Sequence, residues 1–333
     1  MLCGLSSIIY LFIIYLFIYS LSFADTTMIL LVFLLSAASA ASVVEVQVEQ
    51  EPPCPSCILV NTTCYNVSYL FDLDAPFRKD IVIHKMDILR SKDVLFFSFE
   101  PTFEDEEYYK TGFVSLENHT QAGIITGGQI LNLGTFDIDQ VNGLIYFGGN
   151  DGIFVLDTNS NKMLSYSSRG DTITNVFYKN QLYFVKYEDK GIIVKKGDYF
   201  QTILEYWPIR KFVVVTKDNT NIVVFLSNLG LFVTKGNIVH RLSKNAYFRG
   251  ITIDLDGEVY AWWIDGIYKI AFTKNIIHSR IFRVAKLPSI GAMAFDNNNN
   301  ILFTSDKSFL ILEQQICYCY FNVSVLTQFI TGQ

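Results

Sequence analysis

Five aspartates recur at one kind of place in this chain. Asp137, Asp139, Asp254, Asp256 and Asp296 each stand at the end of an apolar run, beside an Asn- or Gly-bearing turn. Carboxylates so placed have two uses. Several converging on one centre would hold calcium, a hard cation that takes oxygen ligands. Singly, each caps a turn by accepting backbone N–H groups. Their repetition at equivalent positions points to turns, so no metal site is assigned. The four histidines, His84, His119, His240 and His278, show no ligand spacing. The chain has no G-x-S-x-G, H-E-x-x-H, Walker or G-x-G-x-x-G pattern. No catalytic residue and no cofactor are therefore expected.

Aromatic and guanidinium groups offer a different chemistry. The chain carries 28 Phe, 19 Tyr and 3 Trp. Most must pack, because strands favour such residues. Trp207, Arg210 and Arg249 fall between apolar runs, and Trp262 and Trp263 are adjacent, so in a strand they face opposite ways. These five are the candidate ligand-binding residues. A flat aromatic ligand with acidic groups would use rings for stacking and guanidinium groups for charge-assisted hydrogen bonds.

The elements that must position them come from a repeat. Residues 136–166, FDIDQVNGLIYFGGNDGIFVLDTNSNKMLSY, read as four short strands separated by turns at Asn142-Gly143, 148–152 and 157–161. The same order returns in 251–272 and 292–314, more weakly in 176–196 and 213–235, and begins in 82–99. Aligning the second strand of each copy brings Phe96, Tyr146, Tyr183, Val224, Tyr260 and Phe303 together, at spacings of 50, 37, 41, 36 and 43 residues. A period of about 40–45 residues with four strands per copy marks a β-propeller. The expectation is an all-β, six-bladed propeller closed between its N- and C-terminal segments. A β-sandwich, or two β domains, is the competing architecture.

Residues 1–40 read as a leader. Apolar runs at 5–24 and 28–35 precede Ala38-Ser39-Ala40, a small-residue cleavage pattern, and either Met1 or Met28 could start the chain. An uncleaved anchor at 5–24 is the rival to secretion, since that run is long enough to cross a bilayer. Residues 41–53 read as a flexible spacer and 54–333 as one domain. After the leader, Cys54, Cys57, Cys64, Cys317 and Cys319 remain, confined to the two ends. A disulfide between the ends would fasten the ring and contribute about 5 kcal/mol. A redox Cys-x-x-Cys or a zinc site would use the same residues, but secretion favours disulfides. The odd count leaves one thiol free or intermolecular. Asn61, Asn66, Asn118 and Asn322 head glycosylation sequons. The acidic stretch 100–109 reads as a solvated loop; the sharper alternative is a rim that gates a ligand or binds a cation. Net charge is −6 with no Lys/Arg cluster, which argues against nucleic acid as a partner.

Cys54-x-x-Cys57, then Cys64-Tyr65, then FDLDAPF at 71–77, lead into the repeats, of which DID…LIYFGGNDGIF at 137–154 is the most telling. In this pattern the chain resembles the ommochrome-binding proteins of moths and butterflies, over roughly residues 54–314. The resemblance implies a secreted haemolymph carrier that binds a small aromatic pigment, such as xanthommatin or a kynurenine-pathway product, without turnover and with no membrane role once the leader is removed. The alternative from fold alone is a secreted calcium-dependent lactonase- or esterase-like hydrolase. Oligomeric state is not readable.

Overall fold

Aromatic and β-branched runs broken every few residues by turn formers commit the chain to short antiparallel hairpins. The repeat at 136–166 shows how. Asp139 ends the first strand, and its Oδ1 accepts the backbone N–H groups of Val141 at 3.1 Å and Asn142 at 3.3 Å. Gly143 closes the turn at φ +64°, a left-handed conformation that costs glycine little. Asp254 repeats the cap on Asp256 and Glu258, and Asp296 repeats it on Asn298 and Asn300. Among the described residues Asp137 caps no turn but accepts the Tyr178 N–H, and Asp256 accepts only a side-chain bond from Asn299.

The computed structural model describes residues 58–61, 63–73, 81–100, 109–125 and 132–314. They form an all-β, propeller-like body with one short 3-10 turn, Ile276–His278. Blade I comprises Val82–Leu89, Val94–Glu100, Lys110–Ser115 and Ala122–Ile124, and blade II comprises Thr135–Asp139, Leu144–Gly149, Gly152–Asp157 and Lys162–Ser167. Blade III comprises Ile173–Tyr178, Leu182–Lys186, Ile192–Lys196 and Tyr199–Ile203, and blade IV comprises Lys211–Lys217, Thr220–Ser227, Gly230–Lys235 and Ile238–Ser243.

The expectation of six separate blades is corrected here. Four are self-contained, and the remaining strands merge into one nine-stranded sheet. Its order is Gly250–Ile253, Val259–Trp263, Gly266–Ala271, Arg280–Ala285, Ile58–Val60, Thr63–Asp72, Ser308–Gln314, Ile301–Ser305 and Met293–Phe295. The merger has a simple cause. Ile58–Val60 pairs with Thr63–Asp72 on one side and, through Val60 and Ala285, with Arg280–Ala285 on the other. A three-residue strand thus stitches together what the sequence reads as two units. Thr63–Asp72 runs antiparallel to Ser308–Gln314, from Tyr65 opposite Gln314 to Asp72 opposite Ser308.

The leading strands of the four blades, together with Gly250–Ile253 and Met293–Phe295, follow one another around a closed ring, the last packing back against Val82–Leu89. Apolar cores lie between successive units. Phe96, Phe136 and Phe147 fill the space between blades I and II, and Phe212, Phe225 and Phe232 that between III and IV. No unit covers both of its faces alone, so stability is shared between neighbours. The outer strands are largely solvent-facing, as in Tyr199–Ile203.

Candidate ligand-binding site

The second-strand positions that define the repeat locate the centre of the ring. In the antiparallel register, Phe96 lies opposite Asp87, Tyr146 opposite Asp137, and Tyr183 opposite Phe177. Val224, Tyr260 and Phe303 lie opposite Val213, Thr252 and Met293. All six partners line a cavity of about 970 Å³ enclosed by the leading strands. That volume is at the upper end of the ~300–1,000 Å³ typical of small-molecule sites.

One side of this cavity is charged. The Lys85 ammonium donates to Asp137 Oδ1 at 2.8 Å, and Asp137 Oδ2 accepts the backbone N–H of Tyr178 at 2.6 Å. Asp137 is 7% exposed. Beside it, burial and then the Asp137 charge push the Asp87 carboxyl up to about 6 from the ordinary 3.8. Lys211 reaches across the ring from blade IV and donates to the main-chain oxygen of His84 in blade I at 3.0 Å. Burial, then the nearby Lys85 and Arg210 charges, bring Lys211 down to about 8. Lys211 is half-buried, and part of its surface faces the cavity.

A carboxyl whose folded pKa is raised favours folding in its neutral form. The contribution of Asp87 is fully present below about pH 4 and is lost as pH rises through about 6. Asp87→Asn is therefore expected to stabilise the protein at pH 7.5 by about 1–3 kcal/mol. The gain should vanish by pH 4 in denaturant melts. An unchanged midpoint at pH 7.5 would remove this account of Asp87.

Tyr109, Phe177, Tyr178, Tyr187, Phe212 and Trp262 contribute aromatic surface to the lining. His84 adds a partly buried ring whose Nε2 lies 2.7 Å from Glu100 Oε1, and the Tyr109 ring meets it edge-on at 5.1 Å. Glu100 and Tyr109 bound the acidic stretch, so both of its roots stand beside the cavity; residues 101–108 lie outside the described residues.

Of the five candidates read from the sequence, the structure places Trp262 in the cavity lining, with Nε1 donating to the Gly291 carbonyl at 3.0 Å. Trp263 packs on the opposite side, in the core shared with blade IV. Trp207 packs against Phe225 and Phe232 at centroid distances of 5.5 and 4.7 Å. Arg210 donates to the carbonyls of Ala246 and Phe248, and Arg249 to that of Ile290. These four are not among the residues lining the cavity. Lys85, Asp87, Asp137 and Lys211 are brought together instead; of these, only Asp137 carries a signal in the sequence, that of a turn or calcium residue.

Cys64 is buried and disulfide-bonded, with its partner outside the described residues. Cys54, Cys57, Cys317, Cys319, the sequon at Asn322, the leader and the spacer also lie outside them. Asn61 and Asn118 are exposed and Asn66 is half-buried. Among the described residues no group of three His, Cys, Asp or Glu side chains is placed to hold a metal, and no helix is long and apolar enough to cross a membrane.

No protein-family profile matches the chain. A curated protein of Manduca sexta named ommochrome-binding protein is 24% identical over 263 residues, covering 77% of this chain and 90% of its own length. Among solved structures, a gluconolactonase from Xanthomonas campestris superposes with a TM-score of 0.57 at 8% identity, covering 79% of this chain and 96% of the other. A streptogramin B lyase does so with a TM-score of 0.50 at 11% identity, covering 75% and 98%. At such identities the structural likeness speaks for the fold alone: the chain is an all-β protein of propeller-like architecture, distantly similar in sequence to an ommochrome-binding protein.

Proposed function

We propose that this protein is a secreted carrier that binds an ommochrome or a related tryptophan-derived pigment in its central cavity and does not turn it over. The observation that carries the reading is the cavity itself, about 970 Å³ in size and lined both by aromatic rings and by Lys85, Asp87, Asp137 and Lys211. Such a wall suits a flat, polar, aromatic molecule, with rings for stacking and fixed charges for orientation. The sequence likeness to the Manduca sexta protein runs through nearly all of that protein and supports the same ligand class. The Asp139, Asp254 and Asp296 carboxylates are engaged with turn N–H groups, which favours a carrier over a calcium-dependent hydrolase.

The test is a visible-absorbance titration of the purified protein with xanthommatin. A saturable spectral shift at one pigment per chain is expected. An unchanged spectrum, with no retention of pigment on gel filtration, would overturn the proposal. Turnover of lactones or aryl esters that is lost with chelator and restored by calcium would support the hydrolase instead.

A further inference from the structure

We propose that Lys211, with Lys85 beside it, forms an anion-recognition point inside the cavity and takes a carboxylate of the bound ligand. The proposal deepens the carrier reading by naming a chemical group the ligand must bear. It rests on the cavity being the ligand site, not on the ligand being an ommochrome.

The geometry is unusual for a lysine. An ammonium has three hydrogens to donate. Lys211 uses one, on the main-chain oxygen of His84 at 3.0 Å. Among the described residues no carboxylate lies within ion-pair distance of it, whereas Lys85 has Asp137 at 2.8 Å. A half-buried cation without a counter-ion is costly, and structures normally neutralise it by pairing. Here the acids that could do so stand elsewhere: Asp137 is held by Lys85 and the Tyr178 N–H, and the Asp87 oxygen Oδ1 accepts the Ile88 N–H. Lys211 lines open space from the far side of the ring. A carboxylate arriving there would supply the missing counter-charge and accept the idle hydrogens as charge-assisted bonds. Phe177 and Thr252, on the strands flanking Lys211's own, line the same space and leave room for an attached ring.

The charged groups facing this space are His84, Lys85, Asp87, Arg90, Asp137 and Asp254. Lys211 is the one brought down to about 8. Carboxylate affinity should hold up to about pH 8 and then fall as the free protein's Lys211 loses its proton. Repulsion from Asp87 sets in earlier, as pH rises through about 6, and is constant by pH 8, so the two effects are separable.

The experiment is isothermal titration of the full-length protein with two probes of one shape, indole-3-acetate and its neutral amide, indole-3-acetamide. Wild type should bind the acid at least tenfold more tightly at pH 7, with the preference shrinking above pH 8. Lys211→Met should abolish the preference, and Lys211→Arg should keep much of it. Equal affinity of wild type for acid and amide, or no binding of either at millimolar concentration, overturns the proposal. So does a preference that survives in Lys211→Met. The comparison within wild type stands even if a variant fails to fold. The two readings separate cleanly. Xanthommatin binding without an acid preference removes the anion point and leaves the pigment reading. An acid preference without xanthommatin binding does the reverse.

Discussion

Gly149→Ala is expected to lower the stability of the fold by about 3 kcal/mol or more, because nothing soft stands where the new methyl must go. A Cβ on Gly149 would lie 1.6 Å from the main-chain oxygen of Asn132 and 2.8 Å from its carbonyl carbon. Those atoms belong to the segment that enters blade II, and that segment is fixed. The Asn132 side chain accepts the Tyr109 N–H at 3.0 Å, and the Leu133 N–H reaches the Tyr109 carbonyl at 3.3 Å. Leu133 is buried in the core between blades I and II. Relief would require moving backbone that is bonded on one side and packed on the other. Gly197→Ala is the control. It meets nothing within 4 Å and carries only the strain of φ +59°, about 1 kcal/mol. Urea melts of the two variants check the contrast, and equal midpoints would refute it. Both Gly149 and Asn132 line the cavity, so ligand affinity should fall along with stability.

Lys85→Met should destabilise the protein by about 3 kcal/mol at neutral pH. Lys85 is the only cation within ion-pair distance of Asp137 among the described residues, and their side chains are 27% and 10% exposed. Without it, two carboxylates stay inside the ring, Asp137 and Asp87, each raising the other's cost of ionisation. The sign follows from the folded state. Lys85 holds the Asp87 carboxyl down, so removing it raises that group's folded pKa further, and the added instability grows as pH rises through it and shrinks in acid. The deficit should therefore be largest above pH 7 and small near pH 4. Adding Asp137→Asn to Lys85→Met should return at least half of the loss at pH 7.5, because the orphaned charge is gone. Melts across that range decide it; a Lys85→Met protein as stable as wild type at every pH would show that the pair carries no folding energy.

These two positions also show how far sequence reading reached. The repeat was legible because turn chemistry and aromatic spacing are local: Asn142-Gly143 and Asp256-Gly257 announce hairpins wherever they occur. The six aligned second-strand residues do fall on second strands, from Phe96 in Val94–Glu100 to Phe303 in Ile301–Ser305. The merging of the last units was not legible, since it depends on Ile58–Val60, a run too short to carry a period. The charged cavity was missed for another reason. Lys85 and Lys211 share no motif, and only ring closure brings one opposite the other. A signal did exist: counting across each hairpin from the aligned second strand leads to Asp87 and Asp137, which line the centre. Trp207 and Arg210 were plausible as ligand contacts by residue type. Side-chain type does not reveal that one ring is taken up by Phe225 and Phe232, or that one guanidinium is spent on loop carbonyls.

The pairing of Thr63–Asp72 with Ser308–Gln314 has a bearing on how the molecule comes into being. Ser68 donates to the Glu313 carboxylate from 245 positions away, so the first of these strands finds its neighbour only when the rest of the ring has been translated. Until then Thr63–Asp72 has no mate on that side, and the nascent chain carries bare sheet edges of the kind that invite sticking to other chains. Closure of the ring thus waits on a latch, and the interval before it shuts is when assistance from a chaperone would matter most.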